Sequence, residues 1–593
     1  MAMAISVGVH AQQRYLSEVF TPGQVVVHSD VTYGTNIDFL TSNFSNPSSY
    51  GPNVVALQTD VTTGQPIPAA YFDPQDASTV VKVINLKMDV YEPHPYIDCV
   101  DERPVFIYVH TGNLLPPPIN GSPTGTKGDS SAVETCKRMA RRGYVAVDMD
   151  YRFGWNPLGS TVEIRRGTLL NAVYRAIHDL KQCIRTLKAD AAGPNTYGID
   201  PNKIIVYGEG TGGYIALAAA TLDHPSELFI EKFRPDPFDP NTSYVDTMTV
   251  GNIDGFGGSL CLYRPNGQNG DFNFCVNAGG ALADTSWLAP GDMPMVAFHC
   301  VFDPFAPFTE GVVIVPTTGE QVLPLQGSNL FMQLVNTYGN NASFAGMTDG
   351  DPFTDRAESL YGTDQVHGSN SVHINTGVAG LFPLVTPNWP AMVPGTLEEA
   401  GPWQWWDQNS ALAQTIVSAG PPPITANMAS LASNPNMTAA KGRAYIDTVM
   451  GYMNPRIVAA LALESCTVTA MDCEGVVNGE SLPGTSCDDG DAETVNDVYG
   501  PDCVCAGSGV GIDELAASVG LRMAPNPMND ILSISATKTI HTVEMYNING
   551  QRVRSENVEN TSYILHRDGL KAGAYFMKFT FDQGTVTRKL MLD

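Results

Sequence analysis

The residues best suited to chemistry lie in the glycine-rich segment 206–213, between a strand pattern and a helix pattern. Residues 204–207 are an apolar run typical of a buried strand, and an alanine-rich helix pattern starts at residue 214. A sharp strand–turn–helix connection of this kind presents a nucleophile at its tip, in the pattern G-x-S-x-G. Gly210 stands at the nucleophile position, and the backbone N–H of Thr211 stands where a developing oxyanion is stabilised.

A glycine at the tip changes the chemistry that this turn can perform. Glycine has no hydroxyl, so no acyl-enzyme can form at Gly210. Thr211 is not expected to replace it, because its side chain should point away from the tip. Glu209 is expected to pack behind the turn, while Gly208 and Gly212 allow the strand and the helix to approach closely. A pocket could remain, since loss of one triad member leaves a residual rate of about 10³–10⁴ over water.

Strand and helix patterns alternate around this turn and predict the fold class. The strand patterns are residues 86–91, 105–109, 144–148, 204–207 and 295–298. The helix patterns are residues 132–142, 168–190, 214–222, 327–338 and 438–463. This alternation predicts an α/β protein with a doubly wound sheet. The domain is predicted to span residues 12–465, with a β-rich N-terminal extension and loop insertions after residue 310.

Four motifs in chain order resemble the α/β-hydrolase superfamily, in particular its carboxylesterase and lipase families. His110-Thr111-Gly112-Asn113 resembles the oxyanion loop, and residues 145–154 resemble the Tyr-Arg strand. Residues 197–204 resemble the approach to the nucleophile, and residues 208–213 resemble the nucleophile elbow. The resemblance covers about residues 85–310. It implies an oxyanion site formed by Thr111, Gly112 and Thr211, and it places the family's serine on Gly210.

The same resemblance implies positions for the acid and the histidine of a catalytic triad. Residues 298–304 resemble the strand end that carries the family's acid, which places it on Asp303. His367 and His373 are the histidines between Asp303 and His541, and His373 is preferred slightly. A surface-loop role is the alternative for both. His110 is expected to support the oxyanion loop rather than to act as a base.

Five of the eleven cysteines fall within residues 466–505. Dense cysteine in a polar, glycine-rich stretch is typical of disulfides in an exported protein, and the absence of nearby histidine disfavours zinc. Residues 466–508 are therefore predicted to form a Cys-rich acidic module, which resembles small repeats in secreted proteins of the Bacteroidetes. Asp488, Asp489, Asp491, Glu493 and Asp497 are candidate calcium ligands, although a solvated acidic turn held by disulfides is the favoured alternative.

Residues 509–593 predict a small all-β sandwich domain, with Asn549-Gly550 as a hairpin turn. The segments Ala524-Pro525-Asn526-Pro527 and Leu570-Lys571-Ala572-Gly573 resemble the type A C-terminal sorting domain of the type IX secretion system. This resemblance implies a Gram-negative Bacteroidetes source, the type IX secretion machinery as partner, and release from the cell or attachment to its surface. Residues 1–11 fit the remnant of a signal peptide.

Composition narrows the classes of ligand. The net charge of −28 disfavours nucleic acid and anionic membrane surfaces. No apolar run approaches the roughly 20 residues that span a bilayer. The sequence has no P-loop, dinucleotide fingerprint or HExxH motif, so no cofactor is expected apart from possible calcium. The oligomeric state is left open.

Three functions are consistent with these features. The first is a secreted pseudo-hydrolase that binds an ester or a surface ligand, which Gly210 favours. The second is an active carboxylic-ester hydrolase with a non-standard nucleophile or an activated water. The third is a structural surface or filament-forming protein, a role that the acidic, Asn/Gly-rich loops would suit. A lined pocket favours the first two, and a filled pocket favours the third.

Overall fold

A computed structural model describes residues 13–314, 319–347, 351–464, 471–477, 479–491, 494–501, 503–509, 516 and 518–593. The chain divides into two compact units, residues 1–468 and 469–593. The predicted signal peptide, residues 1–11, and Cys466 lie outside the described residues.

The first unit combines strands and helices along its whole length. Its strands are β1 Val25–Asp38, β2 Lys82–Pro93, β3 Arg103–Val109, β4 Val145–Met149, β5 Ile199–Glu209, β6 Phe274–Ala278, β7 Met295–Cys300, β8 Glu310–Ile314, β9 Gln321–Gln326, β10 Asp364–His367, β11 Asn370–His373, β12 Leu381–Leu384, β13 Ile416–Ser418 and β14 Ile424–Thr425. Its α-helices are α1 Pro47–Thr63, α2 Ser130–Arg141, α3 Val162–Ala191, α4 Thr211–Thr221, α5 Thr247–Val250, α6 Ser328–Thr337, α7 Pro352–Glu358, α8 Trp389–Met392, α9 Ala426–Leu431 and α10 Ala439–Leu461.

Eight of these strands form one mixed sheet in the order β1-β2-β4-β3-β5-β6-β7-β12. The six strands from β4 to β12 pair in parallel, whereas β1 and β2 pair antiparallel. The predicted α/β sheet is therefore confirmed. The sequence patterns did not predict β6 or β12, because Asn277 interrupts the apolar run of β6 and Pro383 lies in the short β12. Proline is tolerated there because β12 is an edge strand.

Two cores cover the faces of this sheet. In β3, Val105, Ile107 and Val109 point into one core, and Phe106 and Tyr108 point into the other. Helices α3, α4 and α6 complete the first core, and α2 and α10 complete the second. The side-chain alternation of a strand explains why the central strands are apolar on both faces.

Parallel pairing brings the carboxyl ends of the central strands to one edge of the sheet. β3 ends at Val109, β5 at Glu209, β6 at Ala278 and β7 at Cys300. The loops that follow these four residues are therefore the ones that can build a site together. In open α/β sheets, ligands bind at this edge.

The second unit consists of two small sheets and a disulfide-bonded segment. Its strands are β15 Thr494–Tyr499, β16 Cys505–Gly509, β17 Arg522–Ala524, β18 Ile531–Asn547, β19 Arg552–His566, β20 Gly573–Phe581 and β21 Gly584–Leu592. β15 pairs with β16, and β17 to β21 form an antiparallel sheet around an apolar core. Disulfides join Cys473 to Cys503 and Cys487 to Cys505. The predicted disulfides and all-β C-terminal region are confirmed.

None of the helices in the described part of the chain is long and apolar enough to cross a membrane.

Candidate active site

The turn between β5 and α4 has the backbone of a nucleophile elbow. Gly210 has φ 52° and ψ −111°, a region that residues with a side chain adopt only under strain. Its N–H donates to the carbonyl of Ala278, 2.7 Å away, and its carbonyl accepts from the N–H of Gly213. Gly212 also needs to be glycine, because a Cβ there would lie 1.9 Å from the carbonyl oxygen of Val109. The strained turn is thus held in place without a nucleophilic side chain at its tip.

The space beside Gly210 is taken by another side chain. A Cβ built on Gly210 would lie 2.5 Å from Oγ1 and 3.1 Å from Cβ of Thr111. Two non-bonded heavy atoms normally stay 3.5–4.0 Å apart. Thr111 therefore stands against the tip of the turn, in the loop that follows β3.

The predicted oxyanion residues meet at this end of the sheet. The Thr211 hydroxyl accepts a hydrogen bond of 2.8 Å from the backbone N–H of Asn113. Gly112 has φ +130°, and a Cβ there would lie 2.9 Å from Cα of Gly125. The indole N–H of Trp155 donates to the carbonyl of Asn113 at 2.6 Å. The Thr211 side chain thus holds the loop of Thr111 and Gly112 against the start of α4.

Glu209 packs behind the elbow. Its side chain is 1 % exposed. One carboxylate oxygen accepts from the Trp403 indole at 2.6 Å and from the Gln404 amide at 2.8 Å, and the other accepts from the Tyr108 hydroxyl at 2.9 Å. Burial raises the pKa of Glu209, against the opposing effect of these side-chain hydrogen bonds and of the Thr111 backbone. Trp403 and Gln404 follow in sequence almost two hundred residues later, so the motif around Glu209 could not predict them.

Asp303 lies at the same edge, in the loop after β7. One carboxylate oxygen accepts from the N–H groups of Phe305 and Ala306, at 2.8 and 2.9 Å. The other lies 3.9 Å from the position of a Cβ on Gly279. Burial raises the pKa of Asp303 to about 7, against the effect of the two backbone hydrogen bonds. Gly279 directly follows Ala278, whose carbonyl accepts the hydrogen bond from the N–H of Gly210. Asp303 is therefore close to the elbow.

The two candidate histidines lie on one hairpin in different surroundings. His367, at the end of β10, stacks on Phe302 with 4.0 Å between ring centroids, and its Nδ1 lies 2.9 Å from Glu398. His373, at the end of β11, is exposed and pairs with Asp364 at 2.7 Å. Phe302 directly precedes Asp303, so the structure brings His367 to the segment of the candidate acid and leaves His373 outside it.

A hydroxyl partner is missing from this arrangement. Within the described residues, the His367 ring makes no hydrogen bond to a serine or threonine hydroxyl. Glu398 was not predicted as its partner, because no sequence signal distinguishes it from the neighbouring Glu399.

His110 and His299 are two of the three fully buried histidines in the described residues, the third being His178 on α3. His110 stacks on Tyr151 with centroids 4.4 Å apart, and burial lowers the pKa of His110 to about 4. The Nδ1 of His299 lies 2.8 Å from the hydroxyl of Ser328, and burial lowers the pKa of His299 to about 4. Ser328 and His299 are both 0 % exposed, so a substrate cannot reach this pair. Both histidines act as neutral packing groups.

An apolar cavity of about 110 Å³ lies next to the elbow. It is lined by α3, α4, the strands β8 and β9 and two tryptophans. Its lining includes Thr211 and Tyr214 at the start of α4, Asn113 and Leu114 from the loop after β3, and Trp155, Val173, Ala283 and Trp287. No charged side chain is among its described lining residues.

The acidic module brings together three of the five predicted carboxylates. Asp488 and Asp489 have oxygens within 4.8 Å of each other and of Asp497, whereas Asp491 is not in this group and Glu493 lies outside the described residues. Asp489 already accepts hydrogen bonds from the Thr494 hydroxyl and the Gly507 N–H. Calcium binding here stays a prediction.

Two family models match the chain. Residues 88–254 match the family BD-FAE, an esterase-like α/β-hydrolase domain. Residues 522–593 match the secretion system C-terminal sorting domain. The first match includes the oxyanion loop and the elbow but ends before Asp303 and both candidate histidines.

Solved structures with similarity to this chain include esterases of Thermogutta terrifontis. The propionate-bound esterase is 18 % identical with a TM-score of 0.24, and the alignment covers 38 % of this chain and 70 % of that one. The esterase 2 phosphorylated by paraoxon is 20 % identical with a TM-score of 0.23, over 38 % and 69 % of the two chains. No curated protein matches the chain.

Proposed function

We propose that this protein, which joins an esterase-like α/β-hydrolase domain to a secretion sorting domain, binds a small neutral apolar molecule without hydrolysing an ester. The observation that supports this most directly is Gly210, which has the backbone of a nucleophile elbow and no side chain. The sorting domain makes the protein secreted or attached to the cell surface. Binding would therefore take place outside the cell.

The elbow itself argues against turnover. Ester hydrolysis through an acyl-enzyme needs a hydroxyl or thiol with a base in hydrogen-bond reach. His367 pairs with Glu398 through Nδ1, which is the way a carboxylate orients the base of a triad, and Asp303 binds two backbone N–H groups. Gly210 nevertheless offers no atom that a base could activate.

The cavity supports a binding role and indicates the class of ligand. A cavity of about 150 Å³ lined by leucine, isoleucine and phenylalanine stays dry and binds benzene, so a cavity of about 110 Å³ fits a ring or short acyl chain of similar size. A charged group would lose its hydration without gaining a partner there. The Thr211 hydroxyl and the Asn113 N–H, the polar groups nearest the elbow, are bonded to each other. The expected ligand is therefore neutral and apolar.

Toluene is a suitable probe of this cavity. A ligand that binds the folded state raises the free energy of unfolding by RT ln(1 + [L]/Kd). We expect toluene to raise the melting temperature of the wild type and to have little effect on Ala283→Leu, which fills the cavity. Ala220→Leu is the matched control, because Ala220 lies on α4 outside the lining. Equal stabilisation of both variants would place the toluene site elsewhere.

Hydrolysis is tested separately with p-nitrophenyl butyrate. The wild type is expected to release p-nitrophenol no faster than the buffer background. Turnover that disappears in both His367→Ala and Asp303→Ala would contradict the proposal, because it would show that these side chains serve an active enzyme.

A further inference from the structure

We infer that Thr111 fills the space that a nucleophilic side chain at residue 210 would need, so that Thr111 and Gly210 form one coupled pair. The inference rests on the proposed function, because it concerns the same elbow. It adds that the loss of the nucleophile is not a single change at Gly210. A second residue, 99 positions earlier in the chain, is adapted to the missing side chain.

The distances support a steric exclusion. Any L-residue at position 210 would place its Cβ 2.5 Å from Thr111 Oγ1 and 3.1 Å from Thr111 Cβ. Rotation about χ1 of Thr111 can move Oγ1 but not Cβ. The second contact therefore remains in every rotamer, and relieving it requires Thr111 to shift by a few tenths of an ångström.

The backbone of Thr111 cannot easily move away. The Thr111 backbone interacts favourably with the buried carboxylate of Glu209 and lowers the pKa of that group, against the larger effect of burial. Its carbonyl accepts from the Tyr151 hydroxyl at 3.1 Å and contacts the Nδ1 of His110. Displacing the loop would break hydrogen bonds to buried groups, which is costly.

The contacts of Thr111 do not make it a substitute nucleophile. A threonine hydroxyl needs a base to remove its proton. The nearest histidine in sequence, His110, has its Nδ1 against the carbonyl of Thr111 and not against its hydroxyl. Within the described residues, no histidine makes a hydrogen bond to the Thr111 hydroxyl. Its role at the elbow is therefore to occupy volume.

A double-mutant cycle in the full chain tests the coupling. Gly210→Ala and Gly210→Ser are made in the wild type and in Thr111→Gly, and the melting temperature of each protein is measured. The strain of a side chain at φ 52° is the same in both backgrounds, so it cancels. We expect either change to lower the melting temperature by several degrees more in the wild type than in Thr111→Gly.

Thr111→Val is the matched control, because valine keeps the volume of threonine and removes the hydroxyl. Gly210→Ser should be as poorly tolerated in Thr111→Val as in the wild type. If Gly210→Ala and Gly210→Ser lower the melting temperature equally in the wild type and in Thr111→Gly, or prevent folding in both, the inference is overturned.

The two proposals fail in different ways. If the wild type hydrolyses p-nitrophenyl butyrate and Thr111→Val does not, Thr111 is a nucleophile and both proposals are overturned. If the cycle shows no coupling while the wild type stays inert and binds toluene, only the coupling is overturned.

Discussion

Among the single residues of the site, the buried Glu209 and the half-buried Asp303 are two carboxyl groups with different surroundings. Glu209 accepts side-chain hydrogen bonds from three residues of distant segments. In the described part of the chain, Asp303 accepts only from the backbone of its own loop. Burial raises the pKa of both, and this difference in partners leads to different expectations for their substitution.

Replacement of Glu209 should lower the free energy of unfolding by an amount that depends on whether the new side chain can still accept these hydrogen bonds. Glu209→Ala leaves the buried Trp403 indole and the Tyr108 hydroxyl without their acceptor, so we expect a loss of about 2–5 kcal/mol in the free energy of unfolding. Glu209→Gln should cost less, because its amide oxygen can still accept from Trp403 and its NH₂ can donate to Tyr108. Chemical denaturation of both variants checks this. An equal loss in both would mean that charge, rather than hydrogen bonding, matters at this position.

Asp303 should make stability depend on pH. Its folded-state pKa of about 7 lies above the ordinary value of 3.8, so the folded protein holds the proton more tightly than the unfolded chain. This contribution to stability is complete below pH ~4 and is lost as the pH rises towards about 7. The difference in unfolding free energy between the wild type and Asp303→Asn should therefore change by at most about 4 kcal/mol over this range.

The measurement is a set of denaturation curves of wild type and Asp303→Asn at several pH values. Other titrating groups are common to both proteins and cancel. A difference that stays constant with pH would show that Asp303 keeps an ordinary pKa.

At the level of elements, the site depends on how strands, turns and hairpins are joined. The strand–turn–helix of β5 and α4 is local, and its glycines determine its shape. The β8–β9 hairpin, which lines the cavity together with α3 and α4, comes about a hundred residues later. One segment of the chain therefore forms the elbow, whereas several segments that are distant in sequence form the cavity beside it.

The disulfide-bonded segment should depend on its covalent links more than on a core. The bond between Cys487 and Cys505 closes a loop with a sequence separation of 18, for which chain entropy predicts about 3 kcal/mol of stabilisation. Replacing both residues with alanine should increase proteolytic cleavage within residues 471–509. Cys136→Ala, which removes a buried free thiol from the first unit, is the control and should leave that cleavage rate unchanged. Unchanged cleavage in the double variant would mean that β15 and β16 hold the segment by themselves.

For the whole molecule, the two units have separate tasks. The α/β unit carries the candidate site, and the C-terminal sheet carries the sorting match at residues 522–593. The acidic composition, with 61 acidic and 33 basic side chains, favours solubility outside the cell.

Deletion of residues 522–593 should therefore stop export without changing ligand binding. In a bacterium with a type IX secretion system, we expect the truncated chain to stay inside the cell and the full chain to reach the surface or the medium. Cell fractionation measures this. A reporter fused to residues 522–593 is the complementary control and should be exported, and a reporter that stays inside would show that other parts of the chain are needed.

The sequence by itself determined the features that depend on local patterns. Apolar runs of strand length predicted β2, β3, β4, β5 and β7, and the glycines around Gly210 predicted the strand–turn–helix. Cysteine density predicted the disulfides at residues 473–505, and Gly210 excluded an acyl-enzyme at that position. These properties follow from residue types that lie near one another in the sequence.

Only the tertiary structure decided which distant residues meet at the elbow. The sequence could not separate His367 from His373, because their difference lies in the stacking of His367 on Phe302 and its pairing with Glu398. It likewise gave no sign that Thr111 lies within contact distance of the tip of the turn. The physical reason is that parallel pairing of β3, β5, β6 and β7 brings their ends together across some two hundred residues, and packing then sets which atoms share the remaining space.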